Sequence, residues 1–344
     1  MPTLLKPDRL NFGDTIGIIA PASPPPDPYT VDLAIEALEC HGFKPKLGKN
    51  VRARLGFIAG TDRERAADVM AMFTDKKVNA IFCIRGGYGT TRILDRLDYA
   101  VIRRNPKILS GYSDITALHG VLLKKAGLIS FHAPMLNGAL ADPKVPEFTK
   151  QSFFRAIMEA KAPGSICAGY DGKTVSSLRG GVAEGRLAGG NLSLICAGLG
   201  TPFAPSYKGK ILFLEDVNEK PYRLDRMLTH LWNAGVFAQV AGVAVGVNRE
   251  NNSLNDPALK TVRALVKPPG ANQEWKEVKV KAPAKEYQQS GAEVVKERLS
   301  GLRVPVVVGL PFGHIALNAT IPVGVRARLD ADKGDLIITE AAVK

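Results

Sequence analysis

The sequence contains no apolar run long enough to cross a membrane. Stretches such as 241–247 and 304–310 have the length of strands, whereas a membrane-spanning helix needs about 18–20 apolar residues. The first residues, MPTLLKPDRLNFGD, carry charges and proline where a secretory signal has a continuous apolar segment. We therefore expect no membrane partner and no export, and the cytoplasm is the simplest expected location.

Cysteine is scarce, and its spacing fits no metal site. Cys40, Cys83, Cys167 and Cys196 lie far apart and form neither a C-x-x-C pair nor a zinc-binding pattern. Reduced thiols of this kind agree with the cytoplasm. The sequence also lacks a Walker lysine motif and a complete G-x-G-x-x-G loop. It predicts no metal ion and no cofactor.

Positive charge is in excess but is not concentrated. The chain has 46 Lys and Arg against 33 Asp and Glu, a formal net charge of +13. Such an excess raises the question of nucleic acid binding. Because no basic helix, zinc finger or aromatic-flanked RNA motif accompanies it, we expect no nucleic acid partner. An anionic small substrate explains the charge equally well.

The length and the order of predicted elements indicate an α/β protein. A chain of 344 residues favours about two domains. In the first half, short apolar runs alternate with helical patterns, and this alternation predicts βαβ units and a parallel sheet. The predicted strands are 15–20, 80–84 and 107–110, and the predicted helices are 31–40, 61–73 and the segment that ends at Lys125.

The alternation ends at a segment of different composition. Residues 161–181 are rich in Gly, Ser, Pro and Lys and are interpreted as a linker. We therefore predict an N-terminal domain over 1–160 and a C-terminal domain over 182–344. Residues 251–300 lack a clean strand period and are interpreted as an elaborated region with a short helix near 292–299. The other predicted elements are strands 210–214, 241–247, 304–309, 323–329 and 336–339 and a helix over 221–234.

Ser113 is the sharpest candidate for a chemical role. It follows a predicted strand through Gly111 and precedes a helix, so a tight turn would lift its hydroxyl clear of the sheet. The helix start would place backbone N–H groups, including that of Asp114, beside it, which suits a nucleophile with part of an oxyanion hole. The G-x-S-x-G motif itself is absent. The alternative is a serine that only caps the helix.

A glycine-rich turn also lies between a predicted strand and a helix. In Arg85-Gly86-Gly87-Tyr88-Gly89 the glycines allow backbone N–H groups to approach a ligand closely. This turn would hold a phosphate or complete an oxyanion hole, or it would only make a tight connection.

Two more polar residues follow predicted strands. Glu215 ends the run KILFL, where an acid that orients a base would sit, although a solvated acidic turn is the simpler interpretation. His314 lies just after the strand 304–309, and His132 holds a similar position in SFHAP; a structural donor is the alternative for either. Sites gather at the carboxyl ends of parallel strands, and a serine needs a base that is oriented by an acid. Ser113, Glu215 and His314 together therefore predict a site in the cleft between the domains.

The sequence resembles a known family over nearly its whole length. The blocks GDTIG (13–17), APAS (20–23), RGGYG (85–89) and GYSDIT (111–116) resemble the N-terminal half of the bacterial L,D-carboxypeptidases, the murein tetrapeptide carboxypeptidases, which are serine peptidases. Four further blocks resemble the C-terminal half of this family: GRLAGGNLSL (185–194), ILFLEDVNEKPYRLDRML (211–228), LPFGH (310–314) and IPVG (321–324).

The resemblance implies a Ser–His–Glu triad at Ser113, His314 and Glu215. It also implies an oxyanion hole formed by the backbone N–H groups of Asp114 and Gly87. The implied fold is an N-terminal α/β domain like that of class I glutamine amidotransferases and a C-terminal swivelling β/α domain, as a homodimer. The implied reaction removes the terminal D-alanine from a peptidoglycan tetrapeptide during cell-wall recycling. The anionic muropeptide would contact the RGGYG turn, and we name Arg85, Gly86 and Tyr88 as candidate substrate-binding residues.

Two alternatives remain open at this stage. The family also contains microcin-immunity peptidases, which cleave a peptidyl aminoacyl-adenylate, and region 251–300 is longer than expected for the carboxypeptidases. Trp275 in that region would stack on an adenine or pack an inserted helix. The blocks LEDVNEKPYRLDRML and IPVGVRARLDAD favour the carboxypeptidase branch. The alternative from another class is a non-catalytic protein that binds an anionic ligand through RGGYG.

Overall fold

The computed structural model describes residues 3–142, 144–247, 261–265, 275–279 and 289–344. Within these residues the strands form two large sheets and one short antiparallel ribbon. The predicted α/β class, with a parallel-sheet N-terminal domain and a second β/α domain, is confirmed.

The first sheet carries the N-terminal half of the chain. Its strand order is β14-β5-β4-β3-β1-β2, and every pair is parallel except β14 with β5. These strands are β1 (Thr15–Ile19), β2 (Lys44–Leu47), β3 (Ala80–Cys83), β4 (Ile108–Gly111), β5 (Ser130–His132) and β14 (Ile321–Val323). The helices of this half are α1 (Thr30–Cys40), α2 (Asp62–Thr74), α3 (Tyr99–Arg104), α4 (Thr116–Val121) and α5 (Glu147–Met158).

Short 3-10 and π-helical turns join these elements. Residues Thr90–Arg96 and Ser113–Ile115 form 3-10 turns, and Leu122–Ala126 and Leu136–Leu140 form π turns. The start of α2 shows how local chemistry sets an element. Thr61 Oγ1 accepts a hydrogen bond from the backbone N–H of Glu64, and the Glu64 carboxylate accepts one from the backbone N–H of Thr61, so the predicted capping box is formed.

The second sheet carries the C-terminal half. Its order is β6-β16-β15-β8-β9-β10-β13-β7, with a parallel centre of β8, β9, β10 and β13. The strands are β6 (Gly164–Ser165), β7 (Ser176–Arg179), β8 (Val182–Asn191), β9 (Lys210–Glu215), β10 (Gly242–Gly246), β13 (Val306–Leu310), β15 (Arg326–Asp330) and β16 (Asp335–Ile338). The helices of this half are α6 (Leu192–Gly198), α7 (Pro221–Asn233) and α8 (Gly291–Leu299).

Two sequence interpretations differ from what the structure contains. The segment 161–181 contributes β6 and β7 to opposite ends of the second sheet, so it packs as part of that domain. The prediction of a single strand over 323–329 is wrong. Gly324 turns there at a φ of +100°, which sends β14 to the first sheet and β15 to the second.

The elaborated region 251–300 is described in part. It contains β11 (Thr261–Leu265) and β12 (Trp275–Lys279), which pair antiparallel, and the predicted helix near 292–299, found as α8 with a capping box at Ser290. Residues 251–260, 266–274 and 280–288 and the side chain of Trp275 lie outside the described residues. None of the described helices is long and apolar enough to span a membrane.

The two halves share one apolar core. A single cluster of buried side chains includes Phe131 from the first sheet and Leu187 and Phe213 from the second. A hydrogen bond also crosses the junction, because Thr116 Oγ1 accepts from the backbone N–H of Asn191 over 2.9 Å. The contact is close enough that a β-carbon at Gly190 would lie 2.5 Å from Thr116 Oγ1.

Candidate active site

Ser113 sits at a strained turn directly after β4. Its φ is +63°, in the left-handed region that residues other than glycine rarely adopt. The strand ends at Gly111, and a 3-10 turn followed by α4 begins at Ser113, so the backbone reverses sharply at this residue. The side chain is half-buried and makes no hydrogen bond within the described part of the chain. Its hydroxyl is therefore available to an incoming group.

The RGGYG turn packs directly against Ser113. A β-carbon at Gly86 would lie 3.0 Å from the β-carbon of Ser113, so any larger residue here would have to displace the turn of Ser113 by a few tenths of an ångström. The backbone N–H groups of Gly87 and Asp114 have no acceptor among the described residues. Two free donors beside a half-buried hydroxyl are what an oxyanion hole requires.

The side chain of Asp114 connects the turn of Ser113 to the end of the RGGYG turn. It is buried, and its Oδ2 accepts a hydrogen bond of 2.8 Å from the backbone N–H of Thr90. Burial raises the pKa of this carboxyl above its usual value. The hydrogen bond ties the end of the RGGYG turn to the loop of Ser113, so the two turns hold each other in place.

Glu215 and His314 come together at the carboxyl ends of β9 and β13. His314 Nδ1 lies 2.7 Å from Glu215 Oε2, and the Glu215 side chain is fully buried whereas that of His314 is 18% exposed. Gly313, with a φ of +109°, permits this contact, because a β-carbon there would lie 3.0 Å from Glu215 Oε2. The hydrogen bond leaves His314 Nε2 as the ring nitrogen that is free for proton transfer.

A second imidazole approaches Glu215 from the first sheet. His132 Nε2 lies 3.6 Å from Glu215 Oε1, and both side chains are fully buried. Burial alone would raise the pKa of Glu215, but the imidazoles of His132 and His314 hold that pKa at about 2. Glu215 is therefore ionised throughout the physiological range.

Tyr112, the residue before Ser113, packs against His314. The Tyr112 ring lies 4.7 Å from that of His314, centroid to centroid, and Tyr112 directly precedes Ser113. Ser113 and His314 form no direct hydrogen bond in the described residues. Burial and the negative charge of Glu215 raise the pKa of Tyr112 to about 12, so this phenol stays neutral.

The candidate substrate-binding residues of the RGGYG turn differ in exposure. Arg85 donates a hydrogen bond of 2.7 Å from Nη1 to the carbonyl of Pro24, and Gly86 is buried. The Tyr88 side chain is 50% exposed and packs edge-on against Phe57 at 5.4 Å. Ser23 anchors this turn, because its Oγ accepts from the backbone N–H of Tyr88.

Sequence reasoning missed several residues that shape the site. His132 was singled out only for its place at a strand exit, and Tyr112, Ser23 and Thr116 were not singled out. The only signals were the blocks that contain them, APAS and GYSDIT among those quoted above. The described residues contain no group of three or more His, Cys, Asp or Glu side chains arranged to hold a metal ion.

Comparison with known protein families matches both halves of the chain. The LD-carboxypeptidase N-terminal domain matches residues 16–133, and the LD-carboxypeptidase C-terminal domain matches residues 184–273 and 258–329. Among curated proteins, the chain is 37% identical to the "Probable murein peptide carboxypeptidase" of Bacillus subtilis, over 98% of this chain and 97% of that one.

Two solved structures share the fold over almost the full length. The muramoyltetrapeptide carboxypeptidase of Oxalobacter formigenes matches with a TM-score of 0.74 and 29% identity, over 95% of this chain and 99% of that one. The microcin C7 self-immunity protein MccF of Escherichia coli matches with a TM-score of 0.79 and 25% identity, over 99% and 100% of the two chains.

The fold and these matches define an enzyme of the serine carboxypeptidase class. Both domain models of one family match in order, and a relative of 37% identity covers 98% of the chain, so the family itself is established. The protein belongs to the LD-carboxypeptidase family.

Proposed function

We propose that this protein removes the terminal D-alanine from murein tetrapeptides, with Ser113 as nucleophile, His314 as base and Glu215 as the acid that orients the base. The observation that carries the proposal is the 2.7 Å hydrogen bond between Glu215 and His314, because it orients an imidazole whose ring lies 4.7 Å from that of Tyr112, the residue before the strained turn of Ser113. The murein peptide carboxypeptidase names of the relatives support the choice of substrate.

The chemistry follows from which atoms are free. His314 Nε2 takes the proton of Ser113 Oγ, which attacks the carbonyl carbon of the L-centre before the terminal D-alanine. The proton on Nε2 then passes to the amine of the departing D-alanine, leaving an acyl ester on Ser113. Water, deprotonated by the same nitrogen, hydrolyses the ester and restores the hydroxyl. Glu215 stabilises the imidazolium in both halves of the reaction.

The oxyanion of each tetrahedral intermediate would bind to the N–H groups of Asp114 and Gly87. Both donors are unpartnered among the described residues and lie on turns that pack against each other at Gly86. Fixed donors of this kind stabilise charge as it develops, without reorganisation. Removing one such donor typically costs about 10²–10³ in kcat.

Substrate recognition is proposed to lie on the RGGYG turn. Arg85, Gly86 and Tyr88 stand beside the oxyanion donors, and a muropeptide carries several carboxylates that suit a chain of net charge +13. We include in this proposal a cytoplasmic location, which the four free cysteines support, and the homodimer that the family resemblance implies. Light scattering of the purified protein tests the dimer.

Mass spectrometry of a murein tetrapeptide incubated with the protein tests the proposal. We expect the wild type to release one alanine, and Ser113→Ala to lose activity by several orders of magnitude. Ser300→Ala, at an exposed serine after α8, is the matched control and should cleave like the wild type. Cleavage by Ser113→Ala at the wild-type rate would remove Ser113 from the mechanism.

A second candidate is cleavage of a peptidyl aminoacyl-adenylate, as in the microcin-immunity branch. It is favoured by the fit to MccF, whose TM-score of 0.79 exceeds the 0.74 of the carboxypeptidase structure, and by the β11–β12 ribbon in the elaborated region. The same assay with that substrate decides between them. Cleavage of the adenylate alone would move the chain to that branch.

The alternative of a non-catalytic anion-binding protein makes an opposite prediction. It expects tight binding of an anionic ligand with no turnover, and binding unaffected by Ser113→Ala. Calorimetry with the tetrapeptide, alongside the mass spectrometry, separates binding from cleavage.

A further inference from the structure

His132 is a buried histidine for which the proposed reaction provides no role. It ends β5 in the first sheet, and its side chain is fully buried. Neither ring nitrogen has a hydrogen-bond partner among the described residues, and the same holds for Glu215 Oε1. Buried polar atoms are nearly always paired in folded proteins, so unpaired atoms on two facing side chains need an explanation.

The unpaired atoms face each other across the domain junction. His132 Nε2 and Glu215 Oε1 are 3.6 Å apart, which is beyond an ordinary hydrogen bond by about half an ångström. Glu215 accepts from His314 with its other oxygen, so the carboxylate lies between an imidazole of each domain. Because an ionised carboxylate only accepts hydrogen bonds, a bond from His132 to Glu215 requires the proton of His132 to be on Nε2.

His132 is also linked to the strand that carries Ser113. In the sheet register His132 pairs with Gly111 of β4 on one side and with Ile321 of β14 on the other. Gly111 lies two residues before Ser113, and its carbonyl accepts from the backbone N–H of Ala133. If His132 moves relative to Glu215, the paired strand β4, which leads to Ser113, therefore moves relative to Glu215 as well.

The other groups around His132 do not compete for this contact. His119, whose ring centroid lies 6.4 Å away, has both nitrogens engaged, with Ser130 Oγ and the Gly111 carbonyl. Burial lowers the pKa of His119 to about 3, so it stays neutral. The rings of Tyr112 and Phe213 form T-shaped contacts with the His132 ring, at centroid distances of 5.9 and 5.5 Å. Glu215 is the only carboxylate in contact with His132 in the described residues.

We propose that His132 is a positioning residue whose Nε2–H faces Glu215 Oε1 and, when the 3.6 Å gap closes to a hydrogen bond, aligns the Glu215–His314 pair with Ser113. This inference rests on the proposed function, because it assigns His132 a role in the same triad. The bond fixes the second oxygen of Glu215, so that the first points at His314. It also makes the alignment of acid and nucleophile depend on a direct contact between the two sheets.

The test measures the reactivity of Ser113 without any peptide substrate. A fluorophosphonate probe phosphonylates an activated serine, and the labelling rate is followed from pH 5 to 9 in the full-length protein. We compare the wild type with His132→Phe and His132→Asn, which place no donor at Glu215 Oε1, and with His132→Gln, whose longer amide reaches it. His119→Gln is the matched control for loss of a buried histidine in the same sheet region, and Ser113→Ala is the blank.

We expect His132→Phe and His132→Asn to slow labelling by roughly tenfold to a hundredfold, with partial recovery in His132→Gln. The acidic limb of the pH profile should move to higher pH in the first two variants. The reason is that Glu215, no longer sharing its charge with His132, holds the proton on His314 more strongly. His119→Gln should leave that limb in place. Thermal melting followed by circular dichroism verifies that each variant is folded.

Three results would overturn the inference. One is labelling of His132→Phe at the wild-type rate; another is an equal loss in all three His132 variants with an unmoved acidic limb, which indicates packing alone. The third is a wild type that is not labelled at Ser113, which also removes the triad. A wild type that is labelled but does not cleave tetrapeptide rejects only the proposed substrate, and the comparison of the His132 variants still stands.

Discussion

Gly86 and Ser113 are packed so closely that a β-carbon at position 86 would lie 3.0 Å from the Ser113 β-carbon and 3.3 Å from the backbone nitrogen of Asp114. The RGGYG turn and the turn of Ser113 therefore form one unit, in which the N–H groups proposed to bind the oxyanion and the Ser113 hydroxyl are placed relative to each other by close packing. A change in one turn is transmitted directly to the other.

Gly86→Ala should reduce catalysis while leaving the fold intact. The added methyl group must push the two turns apart by several tenths of an ångström, and misplacement of this order costs up to about 10² in rate. The measurement is kcat/KM for tetrapeptide cleavage together with the melting temperature. Gly301→Ala is the control, because a β-carbon there meets no atom within 4 Å. Equal activity of the two variants would show that the turns do not need to touch.

Glu215→Gln should make the free energy of unfolding less dependent on pH in the acidic range. The pKa of Glu215 falls from 4.5 to about 2 in the folded protein. A carboxyl with a lowered pKa contributes stability that is present above pH 4.5 and is lost as the pH falls toward 2. We expect the wild-type free energy of unfolding to fall more steeply than that of Glu215→Gln in this window. Urea unfolding at pH 6, 4.5 and 3 measures it.

Glu36→Gln, at an exposed position on α1, is the control for that experiment and should follow the wild-type slope. If Glu215→Gln also followed the wild-type slope, the two imidazoles would not be stabilising the carboxylate.

Thr116→Val should destabilise the junction between the sheets. Valine has the shape of threonine but cannot accept the hydrogen bond from the backbone N–H of Asn191, which is left buried and unpaired. Such a loss costs about 1–3 kcal/mol. Thr116→Ser keeps the acceptor and should lose less. The midpoints of urea unfolding give both values, and a larger loss in the serine variant would contradict this account.

Arg65→Met should destabilise the loops that carry the RGGYG turn. The buried guanidinium donates from Nη1 to the carbonyls of Pro21 and Gly89 and pairs with Asp62. Each carbonyl left without a donor costs about 1–3 kcal/mol. Arg92→Met removes the exposed partner of the same aspartate and should cost about 0–1 kcal/mol. Similar unfolding midpoints for the two variants would refute the burial argument.

Elements with local chemical signals could be predicted from the sequence. The capping box at Thr61 and the proline at the first turn of α7 act within one helical turn, and both helices begin where these signals place them. The end of β14 could not be predicted in this way. Residues 321–329 alternate like one strand, and only the pairing of β14 with β5, distant in sequence, shows that Gly324 divides it.

The site divides in the same manner. Ser113, Glu215 and His314 each lie at or just after the end of a strand, and the rule for parallel sheets places such residues at one edge. The contact of His132 with Glu215 carries no comparable signal, because it depends on how two separate sheets pack. The spacing of residues in the sequence predicts which side chains are neighbours along a strand. It does not predict which side chains of two different sheets come into contact.

The crossing of β14 into the first sheet has a consequence for how this molecule could be divided. A fragment ending at residue 160 would lack β14, so β5 would become an edge strand. Its unpaired backbone groups would then be open to pairing with another chain. The pairing of β14 with β5 therefore holds the two halves together, and cleavage of the chain within 161–181 would not separate them. Because β14 pairs with β5, separating the two sheets by more than the turn at Gly324 allows would break that pairing.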